Sequence, residues 1–202
     1  MTKQIAHPAV NSYEQNRKTT RWNQHEYATS GTYFITFCTQ QRMCWFAEDN
    51  GNTLSYSPQA YLADYMIHEI PYHYPMVKVL NYVVMPDHIH ILLRINNPEA
   101  DENAFQRDIH SDLDMKEIRK SKKIKNSVST IIGNYKAQLT RQCRRMNLKM
   151  EWEERFHDRV VRNQEEEIAW HKYINGNPVK WEIEKNIILK NWPHKEGLFP
   201  TV

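Results

Sequence analysis

The chain has 202 residues, enough for one well-packed domain but short for two independent cores, and its 27 Lys+Arg against 24 Asp+Glu leave a formal charge of +3. That charge is too small for bulk electrostatic capture of duplex DNA, so any nucleic-acid site has to be a local patch. Three cysteines without paired spacing, Cys38, Cys44 and Cys143, argue against a disulfide framework or zinc knuckle. With no apolar leader and no run of about 18 apolar residues, the expectation is a soluble cytoplasmic protein with no membrane role.

Residues 1–25 are polar and lack periodicity, which predicts an N-terminal arm. The aromatic and β-branched run Thr32–Thr39 predicts a buried strand, followed by a loop through the turn-forming Asp49–Asn52. From Pro58, the spacing of Tyr61, Leu62, Tyr65, Met66, Glu69 and Ile70 predicts an amphipathic helix with those residues as its stripe, closed by Pro71 and Pro75. Val77–Val84 and His88–Ile95 read as an antiparallel hairpin joined by Met-Pro-Asp. Residues 96–126 are acidic first and basic last, a polar insertion.

After the N-cap candidate Ser127, the positions Val128, Ile131, Ile132, Tyr135, Leu139 and Cys143 make one face of a long helix. Its other face carries Lys136, Arg141, Arg144 and Arg145. A short fourth strand is predicted at Arg159–Arg162. A last helix begins near Asn163, with Glu165, Glu166 and Glu167 in its first turn, and ends at the Gly176-Asn177-Pro178 breaker. The order strand-helix-strand-strand-helix-strand predicts an α+β, ferredoxin-like split βαβ fold: a four-stranded antiparallel sheet, helices packed on one face, the other face open to a ligand, and an additional C-terminal helix.

Within VVMPDHIHILL, Val83–Leu93, the rings of His88 and His90 are two residues apart and therefore share one face of an apolar strand. Unpaired polar rings in such a strand cost about 1–3 kcal/mol, so a partner or ligand is expected there. Two imidazoles with no thiolate or third histidine suit an incompletely protein-coordinated divalent ion. If oxygens complete the set, magnesium or manganese is favoured, and a phosphodiester is the natural substrate.

In HKYINGNPVKW, His171–Trp181, Tyr173 and Asn177 are one helical turn apart. The amide oxygen can complete a metal site, and the phenol can act as a nucleophile. A free phenol is only about one-thousandth ionised at neutral pH, so it serves when it is held and its charge stabilised. Tyr135 is the competing tyrosine, but its place beside Ile131, Ile132 and Leu139 assigns it to the core.

Taken together, EYATSGTYFITFCTQQR, VVMPDHIHILL, NYKAQLTRQCRR and EWEERFHDRVVRNQEEE leading into YINGNPVKW resemble, in order and spacing, the REP-associated tyrosine transposases of the HUH single-strand transposase superfamily. The resemblance spans residues 26–182, implying a catalytic domain there and a C-terminal tail over 183–202. It implies that His88, His90 and Asn177 hold Mg2+ or Mn2+, and that Tyr173 attacks a phosphodiester of single-stranded, hairpin-forming DNA. A 5′-phosphotyrosine link and a free 3′-hydroxyl result. Transesterification needs no nucleotide cofactor, and the chain has no P-loop.

Lys136, Arg141, Arg144, Arg155 and Arg162 are the candidate DNA-binding residues. The alternative is a catalytically silent DNA-binding regulator on the same fold. Nothing in the sequence chooses between a monomer and a homodimer.

Overall fold

Gly31 opens a strand whose side chains alternate between two apolar environments, and the rest of the molecule is built on both sides of it. The computed structural model describes residues 30–49, 53–98, 127–185 and 188–190. In chain order these form β1 (Gly31–Cys38), β2 (Ala47–Asp49), β3 (Thr53–Tyr56), α1 (Pro58–His68), α2 (Ile70–His73), β4 (Val77–Met85), β5 (His88–Ile95), α3 (Val128–Arg145), β6 (His157–Val161), α4 (Gln164–Lys185) and β7 (Ile188–Lys190). The predicted arm, the centre of the Asp49–Asn52 turn, nearly all of the polar insertion and the end of the tail lie outside the described residues.

The main sheet has the order β4-β5-β1-β6, with every neighbouring pair antiparallel. This is the ferredoxin-like arrangement expected from the element order, an α+β fold with helices packed on a four-stranded sheet. Tyr33, Ile35 and Phe37 of β1 and Ile89, Ile91 and Leu93 of β5 face α1 and α3, in a core with Ala63, Ile67, Ile131 and Leu139. Phe34 and Leu92, on the opposite face, pack with Val83, Met85 and two residues of α4, Ile174 and Trp181. The face expected to stand open is therefore partly covered by α4.

On α3 the buried residues are Val128, Ile131, Ile132, Tyr135, Leu139 and Cys143, the stripe read from the sequence, and the Ser127 hydroxyl accepts from the Thr130 N–H at 3.2 Å as the N-cap. On α1 the stripe differs. Ala60, Ala63 and Ile67 are buried, whereas Tyr61 and Tyr65 are 54% and 62% exposed. Small side chains let this helix approach α3 closely enough for the Tyr135 hydroxyl to donate to the Ala63 carbonyl at 2.9 Å. Bulky tyrosines on that face would hold it away.

The three strands of a second sheet are not among the elements expected from the sequence. β2 and β3 pair antiparallel where a loop was expected, and β7 joins β3 in parallel to make a small second sheet. In addition, α4 does not stop at Gly176-Asn177-Pro178 but continues through Pro178 to Lys185. An interior proline costs a helix about 3 kcal/mol. Ile174 before it and Trp181 after it are both buried in the same cluster, each worth about 1.5–3 kcal/mol, so packing on either side offsets the break.

The α1 assignment is testable by urea denaturation. Ala63→Leu is expected to lower stability by about 1–3 kcal/mol through overpacking, and Tyr65→Ala to change it by no more than about 0.5 kcal/mol. The reverse order of effects would reinstate the tyrosine stripe.

Candidate active site

β4 and β5 are joined by Pro86 and Asp87, so the first residue of β5 follows directly on a buried carboxylate. Asp87 is fully buried, and such a charge persists only with partners. Its Oδ1 accepts from His88 Nδ1 at 2.6 Å, and its Oδ2 lies 3.0 Å from Arg42 Nε. Its backbone carbonyl accepts from both the N–H and the hydroxyl of Thr39, each at 2.9 Å. Gln41 and Arg42 adopt left-handed backbone conformations, φ 53° and 56°, which cost on the order of 1 kcal/mol each. The same Arg42 guanidinium sits 2.6 Å from Cys38 Sγ; burial pushes the Cys38 thiol up and Arg42 opposes it.

A carboxylate only accepts, so His88 carries a proton on Nδ1, and its Nε2 is turned outward. That atom faces His90 Nε2 at 3.0 Å. His90 Nδ1 in turn meets the Thr36 hydroxyl at 2.7 Å. Burial, then the neighbouring His88, then Arg42 hold His90 well below the usual histidine range, so its ring is neutral near pH 7.

The pair can satisfy itself if His90 Nε2–H donates to His88 and the Thr36 hydroxyl donates to His90 Nδ1. It can equally present two lone pairs to a cation if His90 shifts its proton to Nδ1 and Thr36 accepts. A hydroxyl serves in either role. The two Nε2 atoms face each other at 3.0 Å, and neutral imidazole nitrogens are common ligands of divalent metal ions. The donor set thus fits a divalent ion. Among the described residues no group of three or more His, Cys, Asp and Glu side chains is arranged to hold a metal ion.

Tyr173 is brought to this pair. Its ring centroid lies 5.3 Å from that of His90, edge to face, and it also meets Phe34 at 5.8 Å and Trp170 at 5.6 Å. Phe34 is itself stacked between His90 and Trp170, at 5.3 and 3.9 Å. Tyr173 is nevertheless 43% exposed and so accessible to a ligand. Asn177, one turn on, is buried, and its amide nitrogen donates to the Tyr173 carbonyl at 2.9 Å, leaving only its oxygen as a potential ligand. The N-terminal end of α4 is fixed by Glu167, whose carboxylate receives Arg94 Nη2 at 2.8 and 2.6 Å.

The candidate DNA-binding residues are distributed differently. Lys136 is half-buried, donates to the Glu153 carbonyl at 2.5 Å and rests over the Trp152 ring, so its charge is used internally. Arg141 and Arg144 are exposed on α3, across the sheet from the histidines. Arg155 and Arg162 are exposed on either side of the edge strand β6.

Sequence reasoning left Thr36, Arg42, Asp87, Phe34, Trp170 and Arg159 without roles. Arg159 pairs across from Phe34 on β6 and lies over the Trp170 ring at 5.7 Å. Asp87 was legible in principle, as an acid directly before a buried histidine; Thr36 needed the register that sets it beside His90.

No protein-family model matches the chain. It is 25% identical over 183 residues to a Haemophilus influenzae protein described as "Putative REP-associated tyrosine transposase", covering 84% of this chain and 81% of that one. An uncharacterised protein of the same organism is 21% identical over 171 residues, covering 84% and 92%. Among solved structures, a REP-associated tyrosine transposase bound to a REP hairpin shares the fold, with a TM-score of 0.52 at 20% identity over 78% of this chain and 72% of that one. In sequence and in fold the chain is similar to REP-associated tyrosine transposases, as its motifs imply.

Because the folded protein holds His90 neutral, the unfolded chain takes up a proton below about pH 6.5 that the native state refuses. Stability of chelator-treated protein is therefore expected to fall as pH drops from 7.5 to 5.5, with a shallower fall in His90→Gln. Equal slopes in denaturant titrations of the two proteins would contradict the neutral assignment.

Proposed function

We propose that this chain is a single-strand DNA endonuclease and transposase, dependent on Mg2+ or Mn2+, that cleaves and rejoins hairpin-forming DNA through Tyr173. The observation that carries the reading is the 5.3 Å approach of the Tyr173 ring to His90, beside two imidazoles whose Nε2 atoms face each other. The similarity to REP-associated tyrosine transposases supports it.

His88 Nε2, His90 Nε2 and the Asn177 oxygen would hold the metal, which when bound neutralises charge on a phosphate oxygen and orients it for in-line displacement. The chain's own groups prepare that event. Asp87 fixes the Nδ1 proton and ring plane of His88, and Thr36 holds the ring plane of His90. Phe34 and Trp170 confine the Tyr173 ring, so little motion remains to be frozen when the substrate arrives.

In the reaction the Tyr173 oxygen forms a bond to phosphorus and the bond from phosphorus to the 3′-oxygen breaks. The phenol proton is lost to solvent and one is gained by the departing 3′-hydroxyl, leaving a 5′-phosphotyrosine. Attack by a 3′-hydroxyl runs the same exchange in reverse and releases the tyrosine.

Incubation of the full-length protein with an end-labelled REP hairpin oligonucleotide carrying single-stranded flanks, with Mg2+ or Mn2+, is expected to give a covalent adduct resolved on a denaturing gel. Tyr173→Phe should abolish the adduct while still binding the hairpin. Hairpin binding with no adduct from the parent protein would favour the silent regulator instead. Asp87→Asn is expected to weaken Mn2+ binding about 10- to 100-fold by calorimetry. Unchanged affinity would remove the carboxylate from the metal-orienting role.

A further inference from the structure

Leu80 has no partner position of its own in the pairing of β4 with β5: Val79 lies opposite Leu93 and Asn81 opposite Leu92, which marks a bulge. Val77 and Val79 pack toward α1 and α3, and strict alternation would send residue 81 to that side too. The bulge shifts the parity. Tyr82 and Val84 now take the α1–α3 face, and Asn81 is turned to α4.

Asn81 is 1% exposed, and a buried carboxamide is costly unless its donors and acceptor are used. Its Oδ1 accepts from the backbone N–H of Tyr82 at 2.9 Å. Its Nδ2 donates to Asn175 Oδ1 at 3.0 Å and stands 3.5 Å from the His171 carbonyl. His171 and Asn175 bracket Tyr173, two residues to either side. One carboxamide thus grips the turn of α4 from which the tyrosine projects.

We propose that Asn81 is a positioning residue that sets the rotation of this turn and so aims Tyr173 at the His88–His90 pair; the proposal rests on Tyr173 being the nucleophile. Other contacts hold α4 at other levels, among them the stack of Trp170 on Phe34 at 3.9 Å, three residues before Tyr173. Glu167 pins the helix nearly two turns upstream, Ile174 supplies apolar burial without direction, and Pro178 deprives the turn of a backbone hydrogen bond just downstream. A rotation of about 10° moves a side-chain tip at the helix surface by about 1 Å. Displacement of that size is enough to cost a reaction about 100-fold.

The test uses single-turnover adduct formation by full-length protein on the labelled REP hairpin oligonucleotide at saturating DNA with Mn2+. Asn81→Ala is expected to slow adduct formation roughly 10- to 100-fold while hairpin affinity stays within about twofold. Asn175→Ala alters the same contact from the exposed side and should slow the reaction with affinity likewise unchanged; it decides the matter alone if the Asn81 variant does not fold. The double variant should be no slower than Asn81→Ala, because the two act through one hydrogen bond. Unchanged rates in the folded variants, or affinity that falls in step with rate, would overturn the positioning role while leaving Tyr173 in place. No adduct from the parent protein, or an undiminished one from Tyr173→Phe, would remove the nucleophile and this proposal together.

Discussion

The register of β5 between β4 and β1 is the constraint on which the site depends. Both faces of β5 are covered, one by α1 and α3 and the other by α4, so each side chain is committed to one of two unlike environments. A slip of one residue would drive His88 and His90 into the Ile35–Ile131–Leu139 core and push Ile89 and Ile91 toward Tyr173. Burying two imidazoles without partners would cost several kcal/mol, and exchanging the isoleucines for them would forfeit further packing. Apolar packing on one face thus holds the polar constellation on the other in place.

A second dependence runs through Asp87. The residue occupies a two-residue turn where the chain has to reverse, and its carboxylate and carbonyl tie that turn to Arg42 and Thr39 beyond the end of β1. The hairpin and the neighbouring strand end are therefore locked by the group that orients His88. Fold and chemistry share one residue here, so a substitution at Asp87 acts on both.

Much of this was legible in the sequence because it follows from period and polarity. The strands, the α3 stripe, the paired histidines and the tyrosine on a following helix all declare themselves within short windows. What was not legible depends on distance across the fold. Residue hydrophobicity favours Tyr61 and Tyr65 as the buried face of α1, but the spacing between helices favours Ala60 and Ala63. The bulge at Leu80 leaves no local mark, since Val77–Met85 is apolar enough to read as a regular strand in either parity. Pro178 reads as a stop, and only the burial of Trp181 beyond it shows why the helix continues. Thr36 and Arg42 acquire meaning once β1 is set against β5.

These contacts bear on how the proposed reaction would put a phenol, a weak nucleophile at neutral pH, to use. Its ionisation deficit has to be offset by charge stabilisation at the phosphate and by restriction of its own motion. The chain supplies the second in layers. The sheet fixes Phe34 and His90, those rings and Trp170 hem the Tyr173 ring on several sides, and α4 is bound to the sheet by an ion pair, an apolar cluster and a carboxamide at different heights. None of these contacts occupies the phenol oxygen in a hydrogen bond to the described residues, whereas the hydroxyls of Tyr56, Tyr74, Tyr82 and Tyr135 are all engaged within the fold. A tyrosine that is held by its ring and left open at its oxygen can meet a phosphate, and among these tyrosines Tyr173 also stands beside the histidine pair.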